Sequence, residues 1–525
     1  MKLFLLFKKK YFNILLIIFS FVGIFLSLNV GITHDELHDL KVWEANKKIF
    51  HNLFSNQNYD TSYLDAGGKF YGVGFHIFSF PFEILSQKLI FHGNFKNETK
   101  LLLAKHASVF LLFTISAIYF RKILKIFIKE RIFLNLSTTL YLLYPYLLGH
   151  SFFNVKDIPF LSIWLICTFL IIKISKNLIE NKGLTKKHFF WIILSTAYLI
   201  SIRVSGILIF IEYLIFILFS INYLNIELTK FLKIFYKKLI TALISIFILI
   251  IALQPSYWED PLLFFKGIIY MSNHIQTVCT ITLGECMKAQ ELPISYLPIW
   301  IFFKLPLIIL FGLILFPFVE KNFHSKNLLS LTLFSLIIST LSIILLLIIF
   351  KVNLYDEIRQ VMFLLPAIFI ISLILIYIFS QKLFKILSTI TILFFIAQNM
   401  IIYPYNYIWI NNLSHLTKVK NIFELDYWGV STKPIAKFIN LTKIKETDCI
   451  ISNRNYALAS FFDKKNCTLP FNKLHSHKLR PFYVAYMERS LKKGTPNNCK
   501  LIFQEKINLN FSNEELVLAK LFKCE

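Results

Sequence analysis

"GITHDELHDLKVWEAN", residues 31–46, stands directly after the first long apolar run of the chain. His34 and His38 are four apart, which on a helix sets both imidazoles on one face, as in the zinc-binding pattern H-E-x-x-H. That pattern needs a Glu directly after the first His, and here the position holds Asp35. No nearby third ligand has a suitable spacing. Thr33 with Glu36 three residues later instead reads as a capping box at a helix start. The helix it opens, "HDELHDLKVWEANKKIF", is expected to turn Leu37, Val42, Trp43 and Ile49 towards a membrane surface. Capping accounts for Thr33 and Glu36 but leaves Asp35 unexplained.

The rest of the chain supplies the membrane. Of its 525 residues, 56% are hydrophobic, 17% aromatic and only 16% charged, against about 25% charged in a soluble domain. Apolar runs at 11–30, 101–120, 132–149, 158–175, 188–203, 204–223, 238–255, 295–319, 327–350, 361–380 and 383–403 approach the roughly 20 residues a spanning helix needs. An all-α polytopic membrane protein with about eleven transmembrane helices is expected.

The net charge of +26 does not point to nucleic acid. Its lysines and arginines sit in short loops between apolar runs, "KKK" at 8–10, "RKILKIFIKER" at 121–131 and "KFLKIFYKK" at 230–238 among them. That is the positive-inside bias. It puts the N-terminus in the cytoplasm, in an inner (plasma) membrane, and residues 404–525 outside. A twelfth run, "FHIFSFPFEILSQKLIFHG" at 75–93, would reverse the bias if it crossed. It reads as a helix lying in the outer interface, within a first outer loop of residues 31–100. "SLNVGITHDE" lacks a cleavage pattern, so the first helix is expected to remain as an anchor.

Cysteine usage agrees. Cys167 falls in an expected span, whereas Cys279, Cys286, Cys449, Cys467, Cys499 and Cys524 all fall on the outer side, where disulfides persist. Their pairing is not readable from spacing. The tail 404–525, beyond the transmembrane domain 1–403, is expected to form a small extracytoplasmic α/β domain.

An Asp-Glu pair closing the first membrane helix, followed by a long outer loop with surface helices, resembles the GT-C glycosyltransferases. Within them it is similar to the protein O-mannosyltransferase and aminoarabinose-transferase group. "LDAGGKFYGVGFHIFSFPFEILSQKLIFHG" (64–93), "YPYLLGHSFFNVKDIPF" (144–160), "SIRVSGI" (201–207), "YLPIWIFFKLP" (296–306) and "NLYDEIRQVMFLLPAIF" (353–369) resemble further family segments in the same order. The resemblance covers about residues 1–410. It implies a hexosyl- or pentosyltransferase that takes sugar from a polyprenyl-phosphate donor on the outer leaflet, with inversion expected. The acceptor, whether protein, lipid or glycan, is left open.

Such chemistry needs a base for the acceptor, and cations where charge grows on the departing phosphate. Asp35 is the expected base, its pKa raised by the membrane edge. Glu36 orients the acceptor or only caps. Asp157 stands opposite, as an acceptor or sugar contact or a helix N-cap ahead of Pro159. Lys69, among glycines 67, 68, 72 and 74, Arg203 between two apolar runs, and Arg359 are the phosphate candidates. His150 and Asn154 are sugar candidates, and Lys304 points into a lipid groove. No cofactor is required, although Asp35, Glu36, Asp157, His34 and His38 together hold enough donors for a divalent cation. A secondary transporter is the rival from another class, but it should show repeated halves, and none is present. A lipid-linked glycan ligase or polymerase is a rival among enzymes, and a non-catalytic scaffold is the third.

Overall fold

The computed structural model describes residues 9–52, 54–55, 62–64, 67–90, 96–180, 183, 185–272, 278–320, 327–416, 422–442, 444, 448–462, 467–471, 482–487, 495–509 and 515–524. Parts of the expected surface element 64–93, at 65–66 and 91–93, lie outside them.

The apolar runs fold as helices. In chain order these are α1 (Lys9–Ser27), α2 (His34–Asn52), α3 (Gly74–Leu85), α4 (Asn97–Phe127), α5 (Arg131–Leu143), α6 (Pro145–Ser151), α7 (Asp157–Ile179), α8 (Lys186–Ile202) and α9 (Ile209–Tyr223). There follow α10 (Leu228–Leu253), α11 (Leu263–Ser272), α12 (Tyr296–Lys304), α13 (Leu307–Ile314), α14 (Leu328–Ile349), α15 (Leu365–Phe379) and α16 (Gln381–Ile402). Among the described residues, seven helices are long and apolar enough to cross a membrane. The count reaches nine when α5–α6, bent by 60°, and α12–α13, bent by 114°, are each taken as one span.

Two of the eleven expected runs are not among these nine: the first lies in the 19-residue α1, apolar over Phe12–Ser27 among the described residues, and the fifth forms the 17-residue α8. Run 295–319 is no straight span either. Pro306 offers no amide to α12, and the chain swings away after Lys304. Burial separates inner helices from outer ones. α7 is 83% buried, whereas α10 is only 11% buried and turns Leu243, Ile244 and Ile248 outward. An apolar face of that extent is tolerated in lipid rather than water, and the chain is an integral membrane protein.

Helix α2 differs from its expected lie. Val42 and Trp43 are buried against protein, together with the polar Glu36, Asp39 and Asn46. Trp43 stacks on His76 of α3, with centroids 5.6 Å apart, and its Nε1 donates to Glu83 at 3.4 Å. α3 spans 12 residues and continues into a π-helical turn over Ser86–Ile90. It exposes Ile77, Phe80, Ile84 and Leu85 and buries His76 and Glu83 against Lys105 of α4.

Past α16 the chain does not leave the helices at once. Tyr405, Tyr407, Trp409 and Trp428 are buried in the main apolar core. Beyond them, α17 (Thr432–Thr442) precedes a five-stranded sheet of β3 (Cys449–Ser452), β4 (Thr468–Pro470), β5 (Phe482–Met487), β6 (Cys499–Asn508) and β7 (Glu515–Cys524). The strand order is β4-β3-β5-β7-β6, with β3 parallel to both neighbours and the β5–β7–β6 side antiparallel. Its apolar face shares a core with Ile32, Leu40 of α2, and Leu102 and Leu103 of α4. A short hairpin, β1 (Cys279–Thr282) and β2 (Glu285–Lys288), lies in the loop after α11. Disulfides join Cys279 to Cys286, Cys449 to Cys467 and Cys499 to Cys524, and Cys167 is a buried free thiol.

Candidate active site at the start of the second helix

The opening stretch begins α2 as a capped helix. The Thr33 amide donates to Glu36 Oε1 at 2.8 Å. The other oxygen, Oε2, meets His106 Nε2 at 2.7 Å, and the opposite ring nitrogen of His106 reaches the Ser27 carbonyl at 3.1 Å. Glu36 is buried and both its oxygens are used, so it fastens α2 to α1 and α4 and is not presented to a substrate.

One residue earlier, Asp35 points the other way and is 43% exposed. Arg359 joins it to the other acids. The Arg359 guanidinium stands 3.7 Å from Asp35 Oδ2, 3.6 Å from Asp157 Oδ2 and 3.3 Å from Asp356 Oδ2. The Tyr355 and Trp428 rings flank it, at 4.8 and 4.6 Å. At such distances charge holds the fork while its directional hydrogen bonds are largely unused. Arg203 pairs with Oδ1 of Asp157. Asp157 is therefore not a free N-cap. Asn154 fills the capping role, its Oδ1 accepting the amides of Lys156 (3.2 Å) and Asp157 (2.8 Å). The Asn154 side-chain amide donates to Asp157 Oδ2 at 2.9 Å and to His150 Nδ1 at 3.0 Å. That leaves the His150 Nε2 hydrogen to face the Tyr427 hydroxyl at 3.3 Å. His150 and Asn154 are both buried; they orient Asp157 from behind.

The expected pKa of Asp35 is corrected. Burial works to raise it, but Arg359, Lys156, His34 and Arg454 together outweigh burial and hold the carboxyl below its ordinary value. The acid that is raised lies one helical turn on. Asp39 is pushed up to about 6, chiefly by burial, against the pull of its ion-pair partner Lys156. Neither Asp39 nor Lys156 is among the sequence candidates. Both carry a signal, since Asp39 is four residues from Asp35 on the same helix face and Lys156 precedes Asp157. The paired histidines draw attention away from the paired aspartates. Arg454, at the end of the loop after β3, acts on Asp35 and His34 and donates to the Tyr427 carbonyl at 3.1 Å. Only its tertiary position reveals it.

Lys69 is not brought to this cluster. It lies over the Phe70 ring at 5.6 Å and makes no ion pair among the described residues. Its carbonyl accepts from Ser256 Oγ at 3.1 Å, and Gln254 ties the same turn through Tyr71 and Val73. Gly72 and Gly74 abut Ser201 and Ile202, leaving no room for a Cβ. These glycines serve close packing rather than a loop that folds over phosphate. Lys304 is also turned from any lipid groove, wholly buried against Glu357 at 2.8 Å. The histidines that opened the question separate: His38 Nδ1 meets the Tyr63 hydroxyl at 2.7 Å, and the His34 amide meets the Trp428 carbonyl at 3.4 Å. Among the described residues no three His, Cys, Asp or Glu side chains converge as a metal ion would require.

The long helix α2 and the broken membrane helices belong to a fold that is GT-C-like, and the acid–arginine cluster lies at the start of α2. The chain resembles two crystal structures of ArnT from Cupriavidus metallidurans, one bound to undecaprenyl phosphate and one in the apo state. Each has a TM-score of 0.50 and 8% sequence identity, covering 98% of both chains in the first case and 97% in the second. No protein-family model matches the sequence, and no curated protein matches it.

Proposed function

We propose that this protein is a membrane glycosyltransferase that moves one sugar from a polyprenyl-phosphate carrier to an acceptor on the outer face of the membrane. The observation that carries the reading is the cluster of Asp35, Asp157, Arg203 and Arg359, drawn from four separate segments, within a fold that matches an undecaprenyl-phosphate-bound transferase along its whole length. Two arginines with unspent donors suit a departing phosphate. Asp35, the exposed carboxylate, stays ionised at neutral pH and receives the acceptor's proton as attack proceeds. Asp157, held on three sides, keeps both arginines in place. One such carboxylate and an in-line attack give inversion at the anomeric carbon.

The three disulfides support an oxidising compartment for the hairpin and the terminal sheet, and hence a cytoplasmic N-terminus. The sugar and the acceptor are not specified by these residues.

Binding of undecaprenyl phosphate by the detergent-purified protein, read by native mass spectrometry against phosphatidylglycerol, tests the reading. Preferential retention of the polyprenyl lipid, lost in Arg359→Ala, is expected. Equal retention of both lipids would overturn it.

A further inference from the structure

We propose that the buried Lys304–Glu357 ion pair is a positioning element that aims Arg359 between Asp35 and Asp157; the inference rests on the donor-phosphate reading above. Lys304 is the last residue of α12, at the 114° break in that span. Its side chain and that of Glu357 are both fully buried, with Nζ and Oε2 2.8 Å apart. Lys304 Nζ also lies 3.4 Å from the Tyr407 carbonyl and 4.5 Å from the Tyr146 ring centroid, and the Lys304 carbonyl accepts the Tyr144 hydroxyl. The amine is thus held by Glu357, the Tyr407 carbonyl and the Tyr146 ring.

Glu357 sits two residues before Arg359, in a turn of unusual backbone. Asp356 and Glu357 both adopt left-handed φ, 54° and 67°, which side-chain-bearing residues rarely do in succession. Such a turn persists only where its surroundings determine it. Here the Asp356 amide is held by Thr280 Oγ1 of β1 at 2.8 Å, and the Glu357 carbonyl faces the Tyr296 hydroxyl at 3.4 Å. The Glu357 side chain supplies the third tie, to Lys304. Burial works to raise its carboxyl, against the pull of the lysine beside it. A pair buried at that cost is a poor source of stability, and its location explains it better. It locks a strained turn whose next side chain but one touches two acids of the site.

The test is a double-mutant cycle on undecaprenyl phosphate binding in detergent, with Glu357→Gln, Arg359→Ala and the combination. A second route, Lys304→Met with Glu357→Gln, removes both charges together, so no lone buried charge prevents folding. Glu357→Gln is expected to weaken binding about tenfold in the wild-type background, as for a hydrogen bond to a charged group, and to change it less than about twofold once Arg359 is gone. The Lys304→Met/Glu357→Gln pair should match Glu357→Gln. Equal losses in both backgrounds would mean a general structural role and overturn the inference. Wild-type affinity in Glu357→Gln would also overturn it, while Arg359→Ala still binding poorly would leave the donor reading intact. Failure of the wild-type protein to bind the lipid would overturn the donor reading itself.

Discussion

Replacing Asp39 by asparagine should change how stability depends on pH, and by an amount set by its surroundings. Asp39 is raised to about 6 because burial disfavours its charged form more than Lys156 favours it. In the unfolded chain the same carboxyl titrates near its ordinary value, about two units lower. Between roughly pH 4 and 6 the folded state therefore binds the extra proton, and stability falls as pH rises through that window. Two units correspond to about 3 kcal/mol, fully lost above pH 6. The amide of Asp39→Asn carries no titrating proton, so the stability of that variant lacks this fall. It does lose the pairing with Lys156, whose ammonium still has the Tyr71 ring at 4.7 Å. Apparent melting of both proteins in the same detergent, at one scan rate from pH 4 to pH 8, checks this. The variant-minus-wild-type difference should climb between pH 4 and 6 in favour of Asp39→Asn and then level off. A difference that stays constant across the range would refute the reasoning, since Asp39 would then titrate alike in both states.

Glu36→Ala strands two buried donors, the Thr33 amide and His106, and should cost about 3 kcal/mol or more in thermal stability; Glu36→Gln, which keeps an acceptor for Thr33, should cost clearly less. Gly149→Ala drives a Cβ into the backbone of Asn406 and Tyr407, an overlap no rotamer relieves, so a loss of at least about 2 kcal/mol is expected in the same assay. Alkylation of the denatured protein without reductant should add one label, at Cys167, and seven after reduction, given the three disulfides and single free thiol. More than one label before reduction would contradict the pairing.

The helices are legible in the sequence where apolar length alone decides the outcome, as for α4, α7 and α14. The break after Lys304 is less so, because Pro306 sits inside a run that hydropathy reads as continuous. The capping box at Thr33 is legible because it is local, and Glu36 is used as that spacing implies. What Glu36 does with its second oxygen depends on His106, 70 residues away, and no local pattern reports it. The same limit applies to the site. Asp35, Asp157 and Arg203 each stand out as polar residues beside apolar runs, yet Arg359 reads equally well as a partner of Asp356, which it also is. Glycines around Lys69 suggest a phosphate-binding turn, but small residues also mark close packing, and that is their use here. Four tail cysteines allow three connectivities, and only the sheet register, with Cys499 directly opposite Cys524, selects one.

The proposed reaction draws its sugar from a polyprenyl-phosphate donor and uses Asp35 as the base. Native mass spectrometry of the Asp35→Asn protein, purified beside wild type, tests it most directly, because blocking turnover should trap the loaded carrier. A co-purifying species with the mass of a polyprenyl phosphate plus one sugar, enriched in Asp35→Asn, is the predicted result. Only bulk phospholipid in both proteins, under conditions where a known transferase keeps its donor, would contradict it.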